Sequence, residues 1–388
     1  MAFTYQDTNG AQAKYKDGKR YLWLISPVLA LFIPMAAIFG YIYSGHILWV
    51  LMPLIYFYGF IPLLDGLLGE DPYNPPEEAA LKMAEDNYYR FVAWLTIPGL
   101  YITYFVGIWF IMSAGLPLWA QLIFALTLGL ANGHANNIGH ELGHKSSKLD
   151  QFGAQLALTS IGNGHFCIEH NRSHHTKVST PEDCSSARMG ESLYRFGLRD
   201  MAGAARGAWA LERQRLSRKK LAVFSHHNRL LVSWSASIAM ALGLCLWLGW
   251  SAIIFIAIYK FIALSTLTMA NYIEHYGLLR AKKANGKYEP CAPRHSWNTN
   301  HIFSNLLLIH LQRHSDHHAT PWRPYQSLRH FEGAPQLPSG YPGCYGLAYF
   351  PPLWFKVMDP KVMEWAGGDI TKVNIDPKAK DRLYKKYG

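Results

Sequence analysis

Cysteine is scarce and scattered. The chain has five, Cys167, Cys184, Cys245, Cys291 and Cys344, with no C-x-x-C pair. That excludes a thiolate-ligated zinc or iron site within the chain and gives no disulfide framework. There is no glycine-rich flavin fingerprint. No internal repeat, low-complexity tract or flexible linker marks a second independent domain, so residues 1–388 read as one. The opening MAFTYQDTNGAQAKYKDGKR is polar, which argues against a cleavable signal peptide.

Charge is missing from long stretches. Residues 21–43 and 47–69 hold a single charge between them, Asp65, and 91–115, 117–138, 230–250 and 251–270 are broken only by Lys260. Each block meets the requirement of roughly 20 apolar residues for a bilayer span, and none shows the polar stripe of a soluble helix. The expected fold is therefore an all-α integral membrane protein with six transmembrane helices.

Acidic residues are outnumbered, 26 against 37 Lys and Arg, for a net charge of +11. Fourteen basic residues lie in 139–229 and sixteen from 271 onward, whereas the short connections around 44–46, 114–116 and 249–251 carry none. The positive-inside rule then places both termini and every long loop in the cytoplasm. The layout reads as a cytoplasmic arm (1–20), spans one to four (21–138), a cytoplasmic region (139–229), spans five and six (230–270), and a cytoplasmic region with a C-terminal tail (271–388). Such a basic face suits anionic lipid or an acidic partner protein. No recognition motif for nucleic acid accompanies it.

Histidine is what the chain has in excess. Of eighteen, only His46 precedes His134. Four clusters stand just past apolar blocks: HELGHK (140–145), EHNRSHH (169–175), NYIEHYGLLR (271–280) and LQRHSDHHA (311–319). His140 and His144 are i and i+4, as are His170 and His174 with His175 beside them. His314, His317 and His318 share one helical face, and His275 follows span six. Nine imidazoles without thiolates suit a first-row metal, with iron, copper and zinc as the candidates. Nine exceed what one ion accepts, whereas two ions sharing them as four and five keep open positions for a small substrate. Glu141, Glu169, Glu274 and Asp316 each adjoin a cluster histidine and are expected to hydrogen-bond a ligand ring on another helix.

HELGH also matches the zinc-protease motif H-E-x-x-H, with Glu141 as general base. That use needs three ligands and leaves six histidines idle. A metal transporter or haem protein would want polar residues at the bilayer midplane, where these spans have almost none.

The order H-x3-H, H-x3-H-H, H-x2-H-H over six spans resembles the membrane di-iron oxygenases. Together the four extended motifs resemble the bacterial integral-membrane alkane 1-monooxygenases, from KRYLWL (19–24) to DPKVMEWAGGD (359–369). The resemblance implies a di-iron site in a cytoplasmic histidine-rich cap, with two Fe ions on His140, His144, His170, His174, His175, His275, His314, His317 and His318. It implies dioxygen as co-substrate and hydroxylation of a medium-chain n-alkane at its terminal methyl to the 1-alkanol. Electrons would come from rubredoxin, separate or fused beyond this chain, reduced by an NAD(P)H-dependent reductase. The alternatives are a hydroxylase of another apolar methyl group, alkyl-aromatic or fatty acid, and more distantly an intramembrane zinc protease. His134 lies outside the family pattern and is left out of the ligand set.

Counting back from His275 by helical turns gives Asn271, Thr268, Leu264 and Phe261 as the face toward a substrate tunnel, with Phe57 as a bulky limit on chain length. Lys145, Arg172 and Arg313 are the expected contacts for an acidic electron donor. His310, one turn before His314, is expected to support a ligand ring rather than bind metal, and His165, His295 and His301 are given structural roles.

Overall fold

Apolar blocks with no internal charge become helices because a helix satisfies every backbone N–H and C=O within the segment. A computed structural model describes residues 2–388. A short antiparallel hairpin, β1 (Phe3–Gln6) with β2 (Gln12–Tyr15), precedes the helices. Then come α1 (Arg20–Ser44), α2 (Ile47–Leu68) and α3 (Asn87–Ser113), the last capped by Asp86, whose side chain accepts from Tyr88 N. α4 (Leu118–Asn132) runs into α5 (His134–Gly143) across one residue, Gly133, and α6 (Lys148–Ile161) follows. Next are α7 (Leu193–Arg218), α8 (Arg229–Leu248) and α9 (Ala252–His275). Short helices α10 (Ile302–Leu307) and α11 (His314–Ala319) and the longer α12 (Pro351–Trp365) complete the parts that matter here.

Five helices, α1, α2, α3, α8 and α9, are long and apolar enough to cross a bilayer. The expected fourth span, 117–138, differs: its helix is interrupted at Gly133, and neither α4 nor α5 reaches that length alone. Large apolar side chains such as Phe32, Leu63, Ile102, Leu246 and Ile254 point outward and stay exposed. In water such a belt would drive aggregation, whereas hydrocarbon accepts it.

Packing inside the bundle relies on small residues and polar ties. A Cβ on Gly129 would sit 2.5 Å from Tyr259 O, and one on Gly133 2.3 Å from Thr266 Oγ1, so the chain meets α9 backbone to backbone at the first and backbone to side chain at the second. Beside them Asn132 Nδ2 donates to Tyr259 OH (2.8 Å) and Leu100 O (3.0 Å). One turn on, Asn136 Nδ2 donates to Ala263 O (2.9 Å). α9 belongs to both apolar cores. Its first half packs with Tyr104 and Phe124 of the span bundle, and its last turns with Trp354 and Met358 near the C-terminus.

Two backbone irregularities lie beside the histidines. Residues His170–His174 form a π-helical turn, closed by the His175 N–H on His170 O. Between α10 and α11 the chain turns through left-handed Ile309 and His310, at φ 46° and 53°. Non-glycine residues hold that conformation only when the surroundings fix it. Here Gln312 does so, donating to Ser304 Oγ (2.8 Å) and accepting from Tyr341 N (2.7 Å). The IFSNLLLIHL run is therefore not one helix leading to His314, and His310 does not share a helical face with it.

Candidate metal centre

The four histidine clusters meet. His140 and His144 hang from the end of α5, His170, His174 and His175 from the π turn, His275 from the last residue of α9, and the remaining three from α11. Their ring nitrogens fall into two groups, each with its ligand atoms within 4.8 Å of one another. One is His140, His144, His170, His175 and His317, and the other His174, His275, His314 and His318. The π turn explains why His170 and His174 part company. Its wider turn brings i and i+5 together instead of i and i+4, so His170 meets His175, with Nε2 atoms 3.0 Å apart. α11 serves both groups, with His314 and His318 one turn apart in one and His317 in the other.

The spacing fits metal ions. Two imidazoles at right angles on one ion, with metal–nitrogen bonds of about 2.1 Å, stand roughly 3.0 Å apart. His317 Nε2 is 3.1 Å from His175 Nε2, His318 Nε2 is 2.8 Å from His314 Nε2, and His314 Nε2 is 3.3 Å from His275 Nε2. Among the described residues, the buried Nε2 atoms of His140, His144 and His174 have no hydrogen-bond partner. A native protein rarely buries so many unpaired nitrogens unless something binds them.

Electrostatics agree with that use. Burial holds His140 down to about 3 and keeps His144, His170, His175, His314, His317 and His318 well below the usual imidazole range, with neighbouring histidines adding to it. Neutral rings keep their lone pairs free for a metal. His174 is the exception. Burial pushes it down, but the charge and hydrogen bond of Asp183, 2.9 Å from its Nδ1, lift it to about 9. Asp183 thus orients a ring from the side away from its group. No motif pointed to it, because it lies nine residues past His174 in a loop.

Of the four expected carboxylates, Glu274 reaches a ring of the nine on another helix, and the other three take other roles. Glu274 Oε2 stands 3.2 Å from His314 Nε2, on the inner side of the four-histidine group, and Tyr341 OH donates to its other oxygen (2.7 Å). Asp316, expected to bond a ligand ring, instead accepts from Arg329 and Thr320 and pairs with Arg323. It holds α11 in place from behind, since its side chain leaves the helix opposite the rings. Glu141 pairs with Lys145 at 2.6 Å, and Glu169 lies 3.9 Å from the Cys184 thiol, its carboxyl lifted by burial to about 7. Neither makes a direct hydrogen bond to a ring of the nine. His310 also departs from its expected role. Its Nδ1 meets Tyr325 O at 2.9 Å and its ring packs edge-on against Trp23.

A narrow apolar cavity of about 60 Å³ opens among α1, α2, α4 and α9. Phe57, Leu130, Leu308 and Tyr345 line it, and its polar members include His134 and Asn137, about two turns and one turn before His140. His134 Nε2 bonds Ser26 Oγ (2.8 Å) and its Nδ1 accepts from Asn137 Nδ2 (3.2 Å), which accounts for a histidine outside the ligand groups. The face of α9 toward this cavity is Thr266, Leu267 and Ala270. It is not the expected Leu264, Thr268 and Asn271, which lie about 100° further round and border a different pocket. Phe261 is 59 % exposed and faces outward. The count from His275 assumed that its ring and the cavity share a face, and they do not.

Of the expected docking residues, Arg313 is only 1 % exposed and donates to the carbonyls of Leu328 (2.7 Å) and Asp71 (2.6 Å). No partner protein can reach it. Arg172 is exposed, and Lys145 lines a surface cleft with Trp322 and Tyr325 that reaches His144. His144 and His175, both in the five-histidine group, keep some exposure, while the other group is wholly buried.

Residues 117–347 match the fatty acid desaturase family. Over 374 residues the chain is 46 % identical to alkane 1-monooxygenase 1 of Alcanivorax borkumensis, covering 96 % of this chain and 92 % of that protein. It is 45 % identical to alkane 1-monooxygenase of Ectopseudomonas oleovorans, over 97 % of this chain and 93 % of that one. Against the alkane 1-monooxygenase of Pseudomonas putida the identity is 44 %, over 96 % and 93 %.

Proposed function

The chain belongs to the alkane 1-monooxygenases, within the wider fatty acid desaturase family, and from that premise we propose how its residues divide the work. It hydroxylates the terminal methyl of medium-chain n-alkanes to 1-alkanols with dioxygen. One iron is held by His140, His144, His170, His175 and His317, and the other by His174, His275, His314 and His318, the two groups the fold assembles. When bound, the iron pair supplies the oxidising power that an unactivated C–H bond demands. The observation that carries this reading is the placement of these groups beyond the His134–Asn137 end of an apolar cavity.

The chain's own residues do the rest. Phe57, Leu130 and Leu308 take the alkane out of water or lipid and leave it no polar contact along its length. Orientation follows from shape alone, since such a substrate has no handle, and Phe57 limits the length that fits. Asp183 fixes the His174 ring through its Nδ1, and Glu274 places a carboxylate 3.2 Å from His314 Nε2, on the inner side of the same group. Burial of the four-histidine group excludes water from it.

The bundle has six spans in this reading, with α4 and the start of α5, to residue 138, forming the fourth. It sits in the bacterial inner membrane with both termini and the histidines on the cytoplasmic side. Rubredoxin, reduced by an NAD(P)H-dependent reductase, delivers electrons near the half-exposed edges of His144 and His175, guided by Lys145 and Arg172.

The decisive experiment purifies the chain in detergent or nanodiscs, quantifies its metal and assays octane with rubredoxin and reductase. About two irons per chain and oxygen-dependent 1-octanol are expected. A single zinc with no alcohol formed would sink the reading.

A further inference from the structure

Helix α9 has a cavity on each of two faces, and one residue lines both. Thr266 and Ala270 face the apolar cavity, Leu264, Thr268 and Asn271 face a second pocket, and Leu267 borders the two. The second pocket lies between α9 and α7 and runs inward to His170 of the five-histidine group. It has a different character. Its apolar lining, Phe166, Met201, Ala204, Leu264 and Leu267, accompanies the polar side chains of His165, Glu169, Asp200 and Asn271.

The polar groups are anchored but not saturated. Asp200 accepts from Ser185 Oγ and Thr268 Oγ1, each at 2.7 Å, and from Asn271 Nδ2 at 3.4 Å. That ties the loop before α7, α7 itself and α9 into one rigid wall. Among the described residues, His165 Nδ1 is buried with no partner, and the buried Glu169 carboxyl has the Ser173 hydroxyl and, at 3.9 Å, the Cys184 thiol beside it. Met201, Ala204 and Leu264 are half-buried, so the pocket opens outward between the two helices. Leu264 belongs to the membrane-spanning helix, and on the α7 side the exposed Arg206 follows Ala204, so the mouth lies where apolar and polar surfaces meet.

An alkane gains nothing here, because it would strip water from His165 and Glu169 and return no hydrogen bond. A small polar solute would leave the apolar walls unused. An amphiphile with one hydroxyl satisfies both. We propose that this pocket binds the primary alkanol product, its hydroxyl among His165, Glu169 and Asn271 and its chain along Met201, Leu264 and Leu267, with Leu267 the partition between the alkane and alkanol sites. The proposal rests on the alkane-hydroxylase reading. It gives the product an exit toward the membrane surface, where an alkanol's hydroxyl is hydrated, separate from the route of the incoming alkane.

The test uses the iron-loaded enzyme in nanodiscs and a 1-alkanol carrying a mid-chain diazirine, with adducts mapped by peptide mass spectrometry after irradiation. Adducts are expected on Met201, Ala204 or Leu264, reduced about fivefold or more by excess 1-octanol and far less by the same concentration of octane. Ala204→Trp, or Met201→Phe if that variant does not fold, should fill the pocket and lower the labelling comparably. Adducts confined to the cavity around Phe57 and Tyr345, or displaced equally by octane, would overturn the proposal. Octane hydroxylation by the same preparation is measured alongside. Product without pocket labelling refutes this site alone, and absence of product refutes the underlying activity.

Discussion

Asp183 is the carboxylate on which the four-histidine group depends most directly. Its Oδ2 accepts from Ser186 Oγ (2.7 Å) while facing His174 Nδ1, and its side chain is fully buried. Such partners set ring orientation and basicity, and their loss weakens metal binding about 10- to 100-fold. Asp183→Asn keeps the shape and removes the charge. It should retain metal in the five-histidine group but lose it from the other, read as iron per chain after dialysis against a graded chelator. Unchanged retention would remove Asp183 from this role. Arg313 makes the opposite kind of prediction. Its guanidinium satisfies carbonyls from two distant segments, so Arg313→Leu leaves buried acceptors unpaired and should destabilise the fold by about 3 kcal/mol. Thermal unfolding checks that. At equal folded fraction, the apparent KM for rubredoxin should not move, since no partner reaches this side chain.

At the level of elements, α9 is the organising helix. Its close approach to α4 at Gly129 and Gly133 sets the width of the apolar cavity, and its last residue carries His275. The rotation of its faces separates residues that a helical count treats as equivalent. Phe57 of α2 lines the cavity and stacks against Tyr345 at 6.3 Å between ring centroids, whereas Phe261 of α9 points away. Phe57→Ala should therefore shift the product profile toward longer alkanols in a mixed-alkane assay read by gas chromatography. Phe261→Ala should leave that profile as it is. A shift in the second variant and none in the first would move the chain-length limit elsewhere. The π turn shows what spacing can hide. H-x3-H reads as one helical face, yet one additional residue in the turn sends His170 and His174 to different groups.

For the whole molecule, the charge asymmetry is the widest statement the chain makes. In a bacterial host, a green fluorescent protein fused after residue 388 should fold and fluoresce, and alkaline phosphatase inserted at residues 45–46 should be active. Both reporters giving the reverse result would invert the orientation and place the histidines on the wrong side for a cytoplasmic electron donor.

What the sequence by itself determined is what local pattern encodes. Uncharged runs mark the spans because each must satisfy its own backbone in lipid, and imidazoles at one-turn spacing mark the nine ring donors because neighbours in sequence share a helical face. Which histidines make up the five and which the four, the pairing of Asp183 with His174, the burial of Arg313, the turn of Asp316 toward arginines and the face of α9 that meets the cavity were decided only by tertiary structure. His317 and His175 meet across 142 residues. No window of sequence carries such a contact, because it is set by how whole helices rotate and cross when their buried faces pack.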